Sequence, residues 1–136
     1  MIHYLKFDYK NLSPFQQGML SALLVTFISL FCLVFHQNSI QAWDMLLTPI
    51  LLFCFYNPIL GAFQQKPLQY FGISVLVFIS ISAYIYISGN FVSTISYKQS
   101  GELHLFAVLI VVFYFLLNLL TLLFRGILYL LKHIDE

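Results

Sequence analysis

The sequence predicts an all-α fold, an integral membrane bundle of four transmembrane helices joined by short loops. The 136 residues are 61% hydrophobic and 8% charged, whereas an average soluble domain is about a quarter charged. Four apolar segments are each long enough for the roughly twenty residues that cross a bilayer as a helix. The cationic residues also fall where four spans would place most of them on one side. Residues 1–136 are therefore expected to form a single membrane domain.

The predicted spans have recognisable start and stop signals. Ser13-Pro14-Phe15-Gln16 predicts a capping box with proline at the first helical position. Asn38 or Ser39 is the expected cap of the second helix, and Gly89-Asn90 is the expected stop of the third. Residues 125–136 are expected to extend the fourth helix into the cytoplasm. The spans cover about 14–36, 40–63, 67–88 and 102–124.

The distribution of Lys and Arg predicts the orientation. With four spans, five of the six cationic residues share one side, and only Lys98 lies on the other. The positive-inside rule makes the shared side cytoplasmic. Both termini are then cytoplasmic, and we expect a bacterial inner-membrane protein. The five shared residues are Lys6, Lys10, Lys66, Arg125 and Lys132.

The second span is interrupted by prolines. Pro49 and Pro58 each remove a backbone donor and press on the preceding turn, so we expect this helix to be kinked. Asn57-Pro58 followed by Gly61 is the sharper interruption. The alternative is a broken helix that lines a binding site, as in many transporters.

The segment FISISAYIYIS, residues 78–88, alternates between apolar and polar residues as a half-buried strand would. In lipid, however, a single strand cannot pair its backbone groups, since only a closed barrel satisfies them all. Ser80, Tyr84 and Ser88 are four residues apart and share one helical face. We therefore expect a helix. The alternative is a short extracytoplasmic hairpin from about Tyr84 to Tyr97, turning at Gly-Asn.

Polar residues of all four spans are predicted to meet in one layer. At about 1.5 Å per residue, Asn57 and Asn118 each lie about 21 Å from the outer ends of their spans. Ser21 and Ser74 lie about 6–8 Å from the inner ends, which is a similar depth in a core of about 30 Å. In the fourth span, Tyr114 and the three polar residues after it share one face. The candidate binding residues are Asn57, Asn118, Thr121, Arg125, Ser21 and Ser74.

Two interpretations of this layer remain open. Asn57 and Asn118 can hold the helices together through hydrogen bonds, each worth about 0.6–2 kcal/mol in membranes, and this is the interpretation that we favour. Alternatively, they line a polar pocket that Arg125 completes for an anionic head group or a small solute. Arg125 can also simply extend to the inner interface.

Several aromatic and small residues have predicted packing roles. Trp43, Tyr70 and Tyr129 are expected to be anchors at the membrane interfaces. In the first span, small residues recur at spacings of three and four, which allows close approach of another helix. These residues are Gly18, Ser21, Ala22, Val25 and Ser29. We also expect Cys32 and Cys54 to pack as small hydrophobic residues.

Metal or haem binding has only slight support. His36 and His104 lie at the outer ends of their spans, where Asp44 and Glu102 are the nearest acidic residues in the sequence. Two histidines with such neighbours form an incomplete ligand set. We therefore expect no metal and no other cofactor.

The sequence contains no recognisable catalytic motif, and we do not expect an enzyme. Its near-neutral charge offers no basic face for nucleic acid. Small size and short loops favour an accessory or assembly subunit of a larger membrane complex, whose partners are membrane lipid and other membrane subunits or further copies of itself. The alternative is a homo-oligomeric transporter or channel for a lipid-like or small solute.

Overall fold

The computed structural model describes residues 12–35 and 40–134, except for the side chain at position 133. Within these residues the chain is helical and contains no strand. Each of the four α-helices is long and apolar enough to cross a membrane. A 3₁₀ turn, Tyr97–Gln99, precedes the last of them. The helices are α1 (Pro14–Val34), α2 (Ile40–Ala62), α3 (Pro67–Val92) and α4 (Gly101–Ile134).

Successive helices run in opposite directions, which gives the molecule two ends. At one end, Trp43 near the start of α2 donates its indole N–H to the carbonyl of Ile95, which follows α3, at 2.8 Å. At the other end, Arg125 of α4 contacts the backbone after α2. We call these the α3–α4 end and the α2–α3 end, after the loop that each contains.

Helix α2 is the most central element. It packs closely against α1, α3 and α4, and α1 also packs against α3. Helices α3 and α4 meet chiefly through side chains, since the rings of Phe78 and Tyr114 stack with centroids 4.4 Å apart. The main apolar core contains Val25, Trp43, Leu46, Ile50, Phe53, Cys54, Phe78, Ile81, Ile85, Leu103, Ile110 and Tyr114. Cys32 and Cys54 are both buried and free, as expected for packing residues.

The start of α1 is as predicted. The Ser13 hydroxyl accepts from the backbone N–H of Gln16 at 3.3 Å, and the Gln16 side chain accepts from the Ser13 N–H at 2.9 Å. This reciprocal pair confirms the capping box, with Pro14 at the first helical position. The expected caps of α2, Asn38 and Ser39, lie outside the described residues.

The predicted stop of α3 is wrong. The helix continues through Gly89 and Asn90 to Val92. A Cβ atom at Gly89 would lie 2.3–2.6 Å from the ring of Trp43, which is closer than carbon atoms can approach. Gly89 is therefore used to let the indole pack against the α3 backbone rather than to end the helix.

The hairpin alternative is also wrong. Residues 84–92 belong to α3, and Tyr97–Gln99 form the 3₁₀ turn. The segment FISISAYIYIS is helical throughout, because a helix satisfies its own backbone groups whereas a lone strand does not.

Helices α2 and α4 are each continuous. Both prolines, Pro49 and Pro58, lie inside α2. Helix α4 has 34 residues and therefore a length of about 51 Å. It includes the predicted extension as far as Ile134, and residues 135–136 lie outside the described part of the chain. Helix α4 thus exceeds the roughly 30 Å thickness of a hydrocarbon core.

Gly89→Ala tests the contact between Trp43 and α3. We expect a loss of about 1–3 kcal/mol in the free energy of unfolding, because the added methyl group must displace a packed indole. The matched control is Gly72→Ala on the same helix, where nothing lies within 4 Å of the new Cβ. Thermal unfolding in detergent measures both variants. Equal melting temperatures would contradict the close packing at Gly89.

Candidate functional site

One polar side chain from each helix meets in a buried cluster. We call these four residues, Gln17 of α1, Asn57 of α2, Tyr70 of α3 and Tyr114 of α4, the polar cluster. Asn57 and Tyr114 are both 0% exposed. Every buried side-chain nitrogen or oxygen in the described part of the chain has a hydrogen-bond partner. The cluster therefore meets the requirement that polar groups removed from water be paired.

Asn57 is the centre of the polar cluster. Its Nδ2 group donates to Gln17 Oε1 at 3.1 Å and approaches the Tyr70 hydroxyl at 3.5 Å. Its Oδ1 atom accepts from the Tyr114 hydroxyl at 3.2 Å. Gln17 Nε2 in turn donates to the Tyr70 hydroxyl at 2.5 Å. The side chain of Asn57 thus connects α2 to each of the other three helices.

Two further layer residues, Asn118 and Ser74, bond to carbonyls of their own helices. Asn118 Nδ2 donates to the carbonyl of Tyr114 at 2.9 Å, and Ser74 Oγ donates to the carbonyl of Tyr70 at 2.8 Å. Both side chains are buried, as is Ser21 on α1. Asn57, Asn118, Ser21 and Ser74 are thus all buried, and the side chain of Asn57 bonds directly to the other three helices.

Arg125 holds the end of α2. Its Nη1 atom donates to the carbonyl of Ala62 at 3.1 Å and also to the carbonyl of Gln64. The last carbonyls of a helix lack intrahelical partners and carry partial negative charge, so a guanidinium is well suited to this position. Arg125 therefore joins α4 to the α2–α3 loop.

Thr121 and Arg125 border only a small crevice. Thr121 Oγ1 donates to the carbonyl of Leu117 at 2.8 Å, within its own helix. The crevice, between these residues, Asn118 and the α2–α3 loop, has a volume of about 10 Å³, which is about the space of one water molecule. It has no room for the anionic head group or small solute considered from the sequence.

Two members of the polar cluster were not identified from the sequence. Gln17 lies directly after the capping box, where it resembles an ordinary first-turn residue. Tyr70 was expected to be an interface anchor, but it is only 9% exposed and its hydroxyl lies inside the cluster. Trp43 packs inside the protein, at 2% exposure, and Tyr129 is exposed on α4.

Of the two possible histidine ligands, His104 belongs to the part of the chain that the structure describes. His36 lies outside the described residues. His104 Nδ1 lies 2.7 Å from the carbonyl of Ser100, and its ring packs on Tyr97 at a centroid distance of 4.4 Å. Among residues 12–35 and 40–134, no three His, Cys, Asp or Glu side chains form a group that could hold a metal ion.

A surface groove follows the contact between α1 and α3. We call it the α1–α3 groove. It has a volume of about 230 Å³ and is bordered by Gly18 and Ala22 of α1 and by Ser80 and Tyr84 of α3. Next to it, the hydroxyls of Thr26 and Tyr84 are hydrogen-bonded at 2.7 Å in an exposed position.

Comparison with protein-family models, curated proteins and solved structures gives no match.

Asn57→Leu tests whether the polar cluster holds the helices together. We expect a loss of about 1–3 kcal/mol in stability, because Gln17 and Tyr114 would be left with unpaired buried groups. Asn118→Leu is the matched control, since the Asn118 amide bonds to its own helix, and its loss should be smaller. Melting temperatures in the same detergent measure both. A larger loss in Asn118→Leu would contradict the central role of Asn57.

Proposed function

We propose that the chain is an integral membrane protein that acts as an accessory or assembly subunit of a larger membrane complex, without catalysis of its own. The observation that carries this proposal is the α1–α3 groove. Its small residue Ala22 allows another backbone to approach closely, and its hydroxyls supply hydrogen-bonding groups. Small residues and Ser or Thr are the residue types enriched where transmembrane helices meet.

The chemistry of the interior also supports a non-catalytic role. The polar cluster consists of two amides and two phenols, none of which carries a charge at neutral pH. Its hydrogen bonds are made among the four helices themselves. A cluster of this composition offers neither a nucleophile with a base nor a set of metal ligands. Its contribution is to hold the helices at a fixed depth.

The α1–α3 groove, with a volume of about 230 Å³, is too small to enclose a transmembrane helix but can lie against one. A helix with side chains is about 10–12 Å across, so it can lie along α1 and α3 but not enter between them. Gly18 is already in use for the internal contact, because a Cβ there would lie 2.4 Å from Val77. Ala22, which is half-buried, is the small residue available to a partner helix.

Finer features of the membrane placement belong to the same proposal. We propose a bacterial inner-membrane location with the α2–α3 end in the cytoplasm, supported by Lys66, Arg125 and Lys132 at that end and Lys98 at the other. The helices would form a bundle in which α2 bends at Pro49 or Pro58, where the missing N–H groups weaken the helix. An experimental structure with a straight α2 axis would contradict the bend.

Labelling with a membrane-impermeant maleimide tests the orientation. In intact cells we expect Lys98→Cys to be labelled and Lys132→Cys to be labelled only after permeabilisation, because the excess of cationic residues stays in the cytoplasm. The native protein serves as the control, since Cys32 and Cys54 are buried. The reverse pattern would contradict the proposed orientation.

Ala22→Phe tests the groove as a subunit contact. The affinity-tagged protein is extracted in mild detergent, and co-purifying proteins are identified by mass spectrometry. We expect one or more specific membrane subunits with the native chain and their loss in Ala22→Phe, because the phenyl ring fills the groove.

Ala83→Phe is the matched control. It is the same substitution at an exposed position of α3 that does not border the groove, and it should retain the partner. A pure homo-oligomer in the native preparation would instead favour the homo-oligomeric transporter. Equal partner recovery from both variants would contradict the groove as the contact.

A further inference from the structure

A second opening lies on the opposite side of α3. We call it the α3–α4 cavity. It is enclosed by α2, α3 and α4 near the α3–α4 end and has a volume of about 250 Å³. Ile50, Phe78 and Ile110 line its interior, and each is at most 5% exposed. Trp43 forms part of its wall.

The cavity exists because α3 and α4 are held apart. Helix α2 packs closely against both, whereas α3 and α4 make little direct backbone contact. At one side of the gap the stacked rings of Phe78 and Tyr114 fill the space between the helices. At the α3–α4 end, Tyr97 closes the gap by packing on Trp43, with ring centroids 5.8 Å apart. The space between these two closures stays open.

The α3–α4 cavity reaches the surface of the protein at residues of α3 and α4. Tyr86 of α3 and Val111 of α4 border its mouth, and each is 42% exposed. Along α4 the lining runs from Leu103 to Val111, a distance of about 12 Å. One leaflet of a bilayer contributes about 15 Å of hydrocarbon, half of the roughly 30 Å core. The cavity therefore extends over most of one leaflet.

The lining favours hydrocarbon over water or a solute. Most of the lining is apolar, and an empty space costs such a lining the dispersion contacts that a packed neighbour would supply. The cavity is also too narrow for a helix of about 10–12 Å diameter. Three side chains in the lining carry hydroxyl groups, and these are Ser82, Tyr86 and Tyr97. At this depth in a membrane, the molecules present at the mouth are lipid chains.

The charges near the cavity do not select a particular head group. Lys98 and His104 lie at the α3–α4 end, but so do the acidic residues Asp44 and Glu102. All four are exposed. The protein can therefore recognise the ligand only through its apolar chain.

We propose that the α3–α4 cavity binds one acyl chain of a membrane phospholipid, which enters between Tyr86 and Val111. This site rests on the membrane placement proposed above, but not on the accessory role or on the α1–α3 groove. The bound chain fills the space that the separation of α3 and α4 leaves open. It thereby packs against the side of α2 that carries Trp43.

Trp43 provides a built-in reporter for this site. It is the single tryptophan of the chain, it lines the cavity, and it is only 2% exposed. Bromine atoms on an acyl chain quench indole fluorescence at close range. Bulk lipid does not contact the ring, so quenching that is lost when the cavity is filled reports a chain inside the cavity.

The full chain is reconstituted in phosphatidylcholine vesicles with or without bromine at mid-chain positions. We expect strong quenching of Trp43 in the brominated vesicles. Ala107→Phe, whose new ring projects from a lining position on α4, should lose most of this quenching. Val108→Phe is the matched control on the neighbouring, 59% exposed position outside the lining, and it should behave as the native protein.

The possible results distinguish failure of the proposed acyl-chain site from failure of the proposed membrane placement. Weak quenching of the native protein, or equal quenching in all three proteins, overturns the site. Failure of the native protein to float with the vesicles overturns the membrane placement instead. If Ala107→Phe does not fold by circular dichroism, Ser82→Phe fills the same cavity from the α3 side. Retained quenching in that variant also overturns the proposal.

Discussion

The structure depends on the cost of burying an unpaired amide. Asn57 lies in the central helix and is completely buried, and in a membrane interior no water is present to satisfy it. It can be paired only by side chains from the other helices, and Gln17, Tyr70 and Tyr114 supply them. A shift of any helix by one turn, about 5.4 Å, would remove its partner from reach. The hydrogen bonds of Asn57 therefore fix the depth of all four helices relative to one another.

The polar cluster fixes the helices relative to one another at one depth only. At each end of the molecule a different interaction joins the helices. At the α2–α3 end, Arg125 binds the last carbonyls of α2 and so ties α4 to the following loop. At the α3–α4 end, Gly89 lets Trp43 lie against α3 while the indole N–H bonds to Ile95. Both contacts involve α2. This explains why α2 packs against every other helix, whereas α3 and α4 are free to stand apart and leave a cavity between them.

The sequence was sufficient for the helices, but it identified only two of the four side chains of the polar cluster, Asn57 and Tyr114. Hydropathy identifies four helices because each is nearly uniform in composition. Depth arithmetic then places Ser21, Ser74 and Asn118 near Asn57, and all are buried. Yet the groups that complete the cluster lie four residues earlier, at Gln17, Tyr70 and Tyr114, one turn away on the same face. Gln17 and Tyr70 were missed because glutamine in a first turn and tyrosine near a span end have common interfacial roles. Only the packing of the other helices shows that these two are enclosed.

The alternating segment of α3 takes on a different meaning in the helical structure. Residues two apart on a helix are separated by about 200° and so lie on nearly opposite faces, whereas residues four apart share a face. Ser80 and Tyr84 therefore border the α1–α3 groove, and Ser82 and Tyr86 border the α3–α4 cavity. A pattern that suggests a strand with one polar side thus encodes a helix with two polar strips, each at an opening between helices. Because the strips lie on opposite faces, the proposed partner helix and the proposed acyl chain would occupy different sides of α3.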